Sequence, residues 1–151
     1  MNKQPDSDRD KLAEQAASYM RSMQHLAQGF TRSVEPVLLE QHGIDVRLYI
    51  IIRQIDAGSV HPGAISKLTR LPNSVITRHL DQIVAKGLLE RSLDPDDSRK
   101  IKLTLTKEGQ RVAREAHRTI CNIVGARLER LTPAKREAFL STLAILAADD
   151  A

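Results

Sequence analysis

Residues 71–105, LPNSVITRHLDQIVAKGLLERSLDPDDSRKIKLTL, constrain the fold more than any other part of the chain. Pro72 cannot continue a helix that arrives from its N-terminal side, so a turn falls there. From about Asn73 to Lys86, Ile76, Leu80 and Ile83 with Val84 recur at helical spacing and predict a buried stripe. Ser74, Val75, Thr77, Arg78 and Gln82 then fall on or near the outward side, and Gly87 ends the helix. Two strands are expected next, over 88–93 and 100–105. The second alternates cleanly, with Ile101, Leu103 and Leu105 on one face and Lys100, Lys102 and Thr104 on the other. Asp94-Pro95-Asp96-Asp97-Ser98 between them is turn chemistry.

A short helix running into a β-hairpin with a basic tip is how a winged helix-turn-helix meets DNA. The helix fits the major groove, and an arginine on the hairpin reaches an adjacent minor groove. Base readout needs polar side chains on the outer helix face. Asn73, Ser74, Thr77 and Arg78 supply them, and Arg78 can bind guanine through two hydrogen bonds or clamp a phosphate. Val75 is suited to a thymine methyl. On the hairpin, Arg99 suits a narrow, electronegative minor groove, with Lys100 and Lys102 as phosphate contacts. The plain alternatives are a solvated charge at Arg78 or Arg99 and a helix cap at Ser74. His79 faces either DNA or the hairpin. Residues 60–110 hold nine Lys and Arg against six Asp and Glu, so +3 of the chain's net charge of +4 falls in this segment.

The flanking sequence is helical. Residues 1–9 are polar and expected to fray. From about Asp10, Leu12, Tyr19, Met20, Met23, Leu26, Ala27 and Phe30 recur at three- and four-residue steps, an amphipathic pattern reaching Gln41 with a bend or restart near Pro36, and Gly43 closes it. Asp45 can cap a second helix over Leu48, Ile51, Ile52 and Ile55, ending near Gly58, although Tyr49-Ile50-Ile51-Ile52 is strand-prone. Pro62 opens a short helix carrying Ile65 and Leu68 toward Leu71. After Thr106, Val112, Ala116, Ile120, Ile123, Val124, Leu128 and Leu131 keep helical spacing. Thr132-Pro133 opens a last helix with Phe139, Leu140, Leu143 and Leu146. These terminal helices carry more apolar surface than a small winged lobe can cover, so two chains are expected to bury one another about a two-fold axis.

Composition narrows the class further. At 151 residues with a pI near 9.5, the chain reads as one domain with a basic excess suited to nucleic acid. It has no Trp and only Tyr19, Phe30, Tyr49 and Phe139 as aromatics, which argues against a single-strand module that stacks bases. No apolar run approaches the ~18–20 residues of a membrane span, and no signal peptide is legible, so the expected location is the cytoplasm.

The segment also resembles the MarR family of bacterial transcription regulators. The resemblance is carried by Ser74, Ile76, Thr77, Arg78 and Asp81, then Lys86-Gly87-Leu88, Glu90-Arg91, Asp97-x-Arg99 and Leu105-Thr106-x-x-Gly109, and it extends over roughly residues 12–147. It implies a mainly α fold with a small β wing, as a single domain over 1–151: a winged helix DNA-binding lobe over 45–105, with dimerisation helices over 10–43 and 107–148. It also implies a homodimer on a pseudo-palindromic duplex, acting as a repressor released by a small-molecule effector. In the family's wing signature the acidic residue orients the loop and the Arg enters the minor groove. Small aromatic acids bind many members between the dimer helices and the winged lobe, where Met20, Met23, His42, Arg47 and Arg53 would line the space. Val75, His79 and Arg70 depart from the family's common residues, which bears on the operator read.

Other chemistries fare worse. Cys121, flanked by Ile120 and Ile123, is expected to be a packed, inert thiol. His25, His42, His61, His79 and His117 show no metal-ligand spacing, so a metal-responsive repressor requires them to converge in the fold. No cofactor is expected. A winged module that binds protein rather than DNA is the other alternative. There is no phosphate loop, nucleophile elbow or HExxH, so the chain is not expected to be an enzyme. The acidic pairs Asp96-Asp97 and Asp149-Asp150 fall in turn and tail contexts.

Overall fold

The computed structural model describes residues 4–148, in the order α1 (Gln4–His42), α2 (Val46–Asp56), α3 (Pro62–Thr69), α4 (Asn73–Ala85), β1 (Leu89–Leu93), β2 (Ile101–Leu105), α5 (Lys107–Leu128) and α6 (Pro133–Ala148). The fold is mainly α with a small β wing. Residues 1–3 and the Asp149-Asp150 pair lie outside the described residues.

α1 differs from expectation at both questioned points. The polar stretch 4–9 is helical rather than frayed, because extending an existing helix gains one hydrogen bond per residue fixed. The helix also runs through Pro36 without restarting. Val34 and Leu38, fully buried on either side, hold that turn in place against the one missing N–H. Gly43 then closes the helix at φ +66, its N–H donating to the Leu39 carbonyl at 3.1 Å.

The Tyr49–Ile52 run is helical. Asp45 is extended and its Oδ1 accepts from the Leu48 N–H at 2.8 Å, a working N-cap. Leu48, Ile51, Ile52 and Ile55 are all buried on one side. A strand would have sent Ile51 and Ile52 to opposite faces. α3 buries Ile65 but leaves Leu68 60% exposed, so only the first of the two expected anchors faces the core. It ends at Arg70, whose φ of +54 lies in the left-handed region that glycine usually occupies. The Ser66 hydroxyl donates to the Leu71 carbonyl at 2.7 Å and ties the turn.

α4 buries Ile76, His79, Leu80 and Ile83, while Val84, expected inside, is 38% exposed at the edge of that stripe. His79 occupies the i+3 position from Ile76 and completes the apolar spacing in its place. β1 and β2 pair antiparallel, with Leu89 opposite Leu105 and Leu93 opposite Ile101. Leu88 and Lys100 fall just outside the strands. Leu89, Leu103 and Leu105 are buried, but Ile101, expected to share their environment, is exposed with Leu93 where the ribbon projects beyond the core. The Leu103 N–H donates to the Val60 carbonyl at 2.8 Å, which pins the ribbon to the segment before α3.

One buried cluster runs from Val34 and Leu38 through α2, Ile65, α4 and the ribbon to Val112, Ala113, Ala116 and Ile120. Thr106 joins ribbon to α5: its hydroxyl donates to the Gly87 carbonyl at 2.8 Å and accepts from the Gly109 N–H at 2.9 Å. α6 is different. It buries no residue, and its first turn is held by the Arg136 guanidinium donating to the carbonyls of Leu128 and Leu131. Leu12, Tyr19, Met20 and Leu26 on α1 and Leu140, Ile145 and Leu146 on α6 are exposed. No helix among the described residues is long and apolar enough to cross a membrane.

Candidate nucleic-acid interface

The buried stripe of α4 fixes what its other side presents. Asn73, Ser74, Thr77 and Arg78 are exposed, and Val75 is half-buried. Thr77 donates its hydroxyl proton to the Asn73 carbonyl at 2.9 Å, which leaves its oxygen lone pairs facing outward as acceptors. His79 is only 6% exposed and its Nδ1 lies 3.2 Å from Gln82 Oε1, so it belongs to the core side of the helix. That answers the question left open between groove and hairpin.

The wing tip is organised by two aspartates. Asp94 Oδ1 accepts the N–H groups of Asp96 and Asp97 at 2.8 and 3.3 Å, and its own N–H donates to the Lys100 carbonyl at 2.9 Å. Asp97 Oδ1 accepts the Arg99 N–H at 3.2 Å, and its Oδ2 pairs with Lys100 Nζ at 3.1 Å. The Asp96 N–H holds the Asp94 carboxyl below the usual carboxylate range, and the hydrogen bond from Lys100 does the same for Asp97. Both tip acids are therefore ionised at neutral pH and keep the loop folded, with the exposed Arg99 side chain carried at its end. Lys100, expected as a phosphate contact, spends part of its charge on Asp97.

Two residues not singled out for the site connect its parts. Arg91 on β1 donates to Asp81 Oδ1 at 2.7 Å and to the Thr77 carbonyl at 3.5 Å, so the ribbon is braced against α4 itself. His61, the residue before α3, sets its ring against the hairpin, Nδ1 at 3.0 Å from the Ile101 carbonyl and Nε2 at 3.2 Å from Asp94 Oδ2. Glu90-Arg91 was legible only as part of a motif. Pro62 marked His61 as a helix boundary, and nothing local marked the long-range partner.

The residues of the expected effector lining, a space between the dimer helices and the winged lobe, lie on separate surfaces of the single chain. Of its five members only Arg47 lines the cavity of about 500 Å³ between α2, α3 and α4, with Ile50, Leu68, Leu71, Val75 and Arg78 among the other walls. Met20 and Met23 lie on an open surface of α1. His42 faces Thr119 and Arg53 pairs with Asp56, each tied to a local partner. Cys121 is exposed rather than packed, 3.6 Å from His117 Nε2, because one helical step turns it about 100° away from the buried Ile120. Among the described residues no three His, Cys, Asp or Glu side chains gather as a metal site.

A two-helix turn whose second helix shows a polar and cationic face, followed by a ribbon with an arginine at its tip, defines a winged helix-turn-helix protein. Residues 42–100 match the model of the MarR family. The chain is 27% identical to the uncharacterized HTH-type transcriptional regulator YwhA of Bacillus subtilis over 117 residues, 78% of this chain and 84% of that one. A MarR family protein from Bacillus stearothermophilus superposes with a TM-score of 0.80 at 17% identity, over 91% of this chain and 96% of that chain. A mutant MarR from E. coli, complexed with operator DNA, superposes with a TM-score of 0.73 at 21% identity, over 88% and 95% of the two chains. Over residues 42–100 the chain is thus similar to the MarR family, and its fold is that of solved MarR family structures.

Proposed function

We propose that the chain is a homodimeric regulator that binds a pseudo-palindromic double-stranded operator and represses by occupying it, in the cytoplasm where that DNA lies. The observation that carries this reading is the exposed polar and cationic face of α4 with the wing braced against that helix by Arg91. Asn73, Ser74, Val75, Thr77 and Arg78 would read one major groove, while Arg99 enters the neighbouring minor groove and Lys100 meets phosphate. The operator-bound E. coli relative of the same fold supports the docking mode. The exposed apolar residues of α1 and α6 support the dimer, since apolar helix faces left uncovered within one chain are stabilised by a second.

Selection from a random duplex library, with affinity followed against salt, tests the reading. Enrichment of an inverted repeat with steep salt dependence is the expected result. Weak binding without enrichment would point to a protein-interaction module, and enrichment only with added zinc to a metal-responsive repressor.

Release by a small organic acid fits the cavity between α2, α3 and α4, where Arg47 and Arg78 offer cations among apolar walls. An acid bound there would engage Arg78 directly and compete with the operator. Aromatic carboxylates are expected to displace the selected duplex from the wild type, and Arg47→Ala to blunt that displacement; equal displacement of both would remove Arg47 from the site.

A further inference from the structure

We propose that His61, with both ring nitrogens protonated, is the positioning residue that sets the wing for DNA contact, so that operator binding is coupled to its charge. The inference rests on the reading above that the wing touches DNA.

The geometry leaves the ring little choice. Nδ1 faces the Ile101 carbonyl at 3.0 Å and Nε2 faces Asp94 Oδ2 at 3.2 Å, and both partners are acceptors. A neutral imidazole owns one N–H, so it satisfies one partner and turns a lone pair toward the other; the imidazolium donates to both. His61 is free for this task, since it stands at the N-cap of α3 with extended backbone and makes no side-chain cap bond. Around it, Asp94 and Asp97 both feel its charge from the hairpin, and Lys102 on β2 acts on Asp94 from the other direction.

The consequence travels through bonds already described. Asp94 holds the tip through the N–H groups of Asp96 and Asp97, and Asp97 in turn holds the Arg99 N–H. Beyond Leu103 the ribbon has little core to lean on, because Leu93 and Ile101 are exposed. The Val60 carbonyl and the His61 ring, adjacent in sequence, are thus two of the fixings that orient it. The bridge is complete while the imidazole is charged. It loses one bond once the imidazole is neutral, because a single N–H serves only one of the two acceptors. At the acid end it fails when Asp94, held below the usual carboxylate range, finally protonates.

The test uses the full chain in two arms. Without DNA, the amide resonances of Asp96, Asp97 and Arg99 are followed from about pH 5.5 to 8.5, spanning the imidazole range. They are expected to move together in the wild type and stay still in His61→Gln, whose circular dichroism verifies the fold. With a mixed-sequence duplex, wild-type affinity is expected to fall about three- to tenfold across the same interval. That is less than a fully buried charge-assisted bond would give, because the pair is partly exposed. Both His61→Gln and Asp94→Asn should flatten that profile. Tip amides indifferent to pH in the wild type would overturn the proposal whatever the DNA result. Moving amides with pH-independent DNA binding would overturn the coupling to function, and moving amides with no DNA binding would instead overturn the reading on which it rests.

Discussion

Gly109→Ala is expected to lower the midpoint of thermal unfolding by about 10–15 °C, from a loss of about 3–5 kcal/mol. A Cβ built on Gly109 lies 2.0 Å from the Leu88 carbonyl oxygen and 2.9 Å from its carbonyl carbon. These are backbone atoms with no rotamer to change. Nor is the oxygen free to retreat, since the Thr106 N–H donates to it at 3.1 Å while the Thr106 hydroxyl holds Gly87. Relief requires the first turn of α5 to move away from the α4–β1 turn, which opens the packing of Leu88, Leu105 and Val112 at the junction of three elements. Circular dichroism against temperature at fixed protein concentration reads the effect. A midpoint within a few degrees of wild type would show that this approach yields more easily than its geometry indicates.

That glycine also shows what a sequence discloses and what it withholds. Leu105-Thr106-x-x-Gly109 was visible as a motif, and Thr106 as a helix start, but the need for hydrogen at position 109 depends on a carbonyl 21 positions earlier in the chain. Local signals did well wherever the cause was local: Asp45 outweighed the strand propensity of Tyr49–Ile52, and Pro62, Pro72 and Gly87 punctuated α3 and α4. The outward residues of α4 followed from its period alone. Misplacements came where neighbouring elements decide. Val84 has the right spacing, but His79 packs inside beside it. Cys121 has apolar neighbours in sequence but not on its own side of the helix. Ile101 alternates correctly, yet the core ends before it. The two braces of the wing, Arg91 to Asp81 and His61 to Asp94, join residues 10 and 33 positions apart, and periodicity carries no information over such distances.

Arg78→Ala and Arg99→Ala should weaken operator binding in different ways, and the difference assigns their roles. Both side chains are exposed, and among the described residues neither is held in an ion pair like that of Arg91 with Asp81 or Lys100 with Asp97. Each is therefore available to DNA without first giving up a carboxylate. On α4, Arg78 is backed by the fully buried Leu80 and Ile76, a rigid platform of the kind that bidentate base recognition requires. Its loss is expected to cost ~1–3 kcal/mol, about fivefold to 150-fold in affinity, with relaxed preference at one base pair per half-site. Arg99 sits on a loop fixed by Asp94 and Asp97 through backbone N–H groups, so its contribution is placement of charge in a groove. Arg99→Ala should weaken binding and flatten the salt dependence by about one unit while leaving the preferred sequence largely intact. Titration of each variant against the selected duplex and its single-base variants, at several salt concentrations, separates the two signatures. A loss at Arg78 that is uniform across all sequences would make it a phosphate clamp, and unchanged binding at Arg99 would take the wing tip out of the interface.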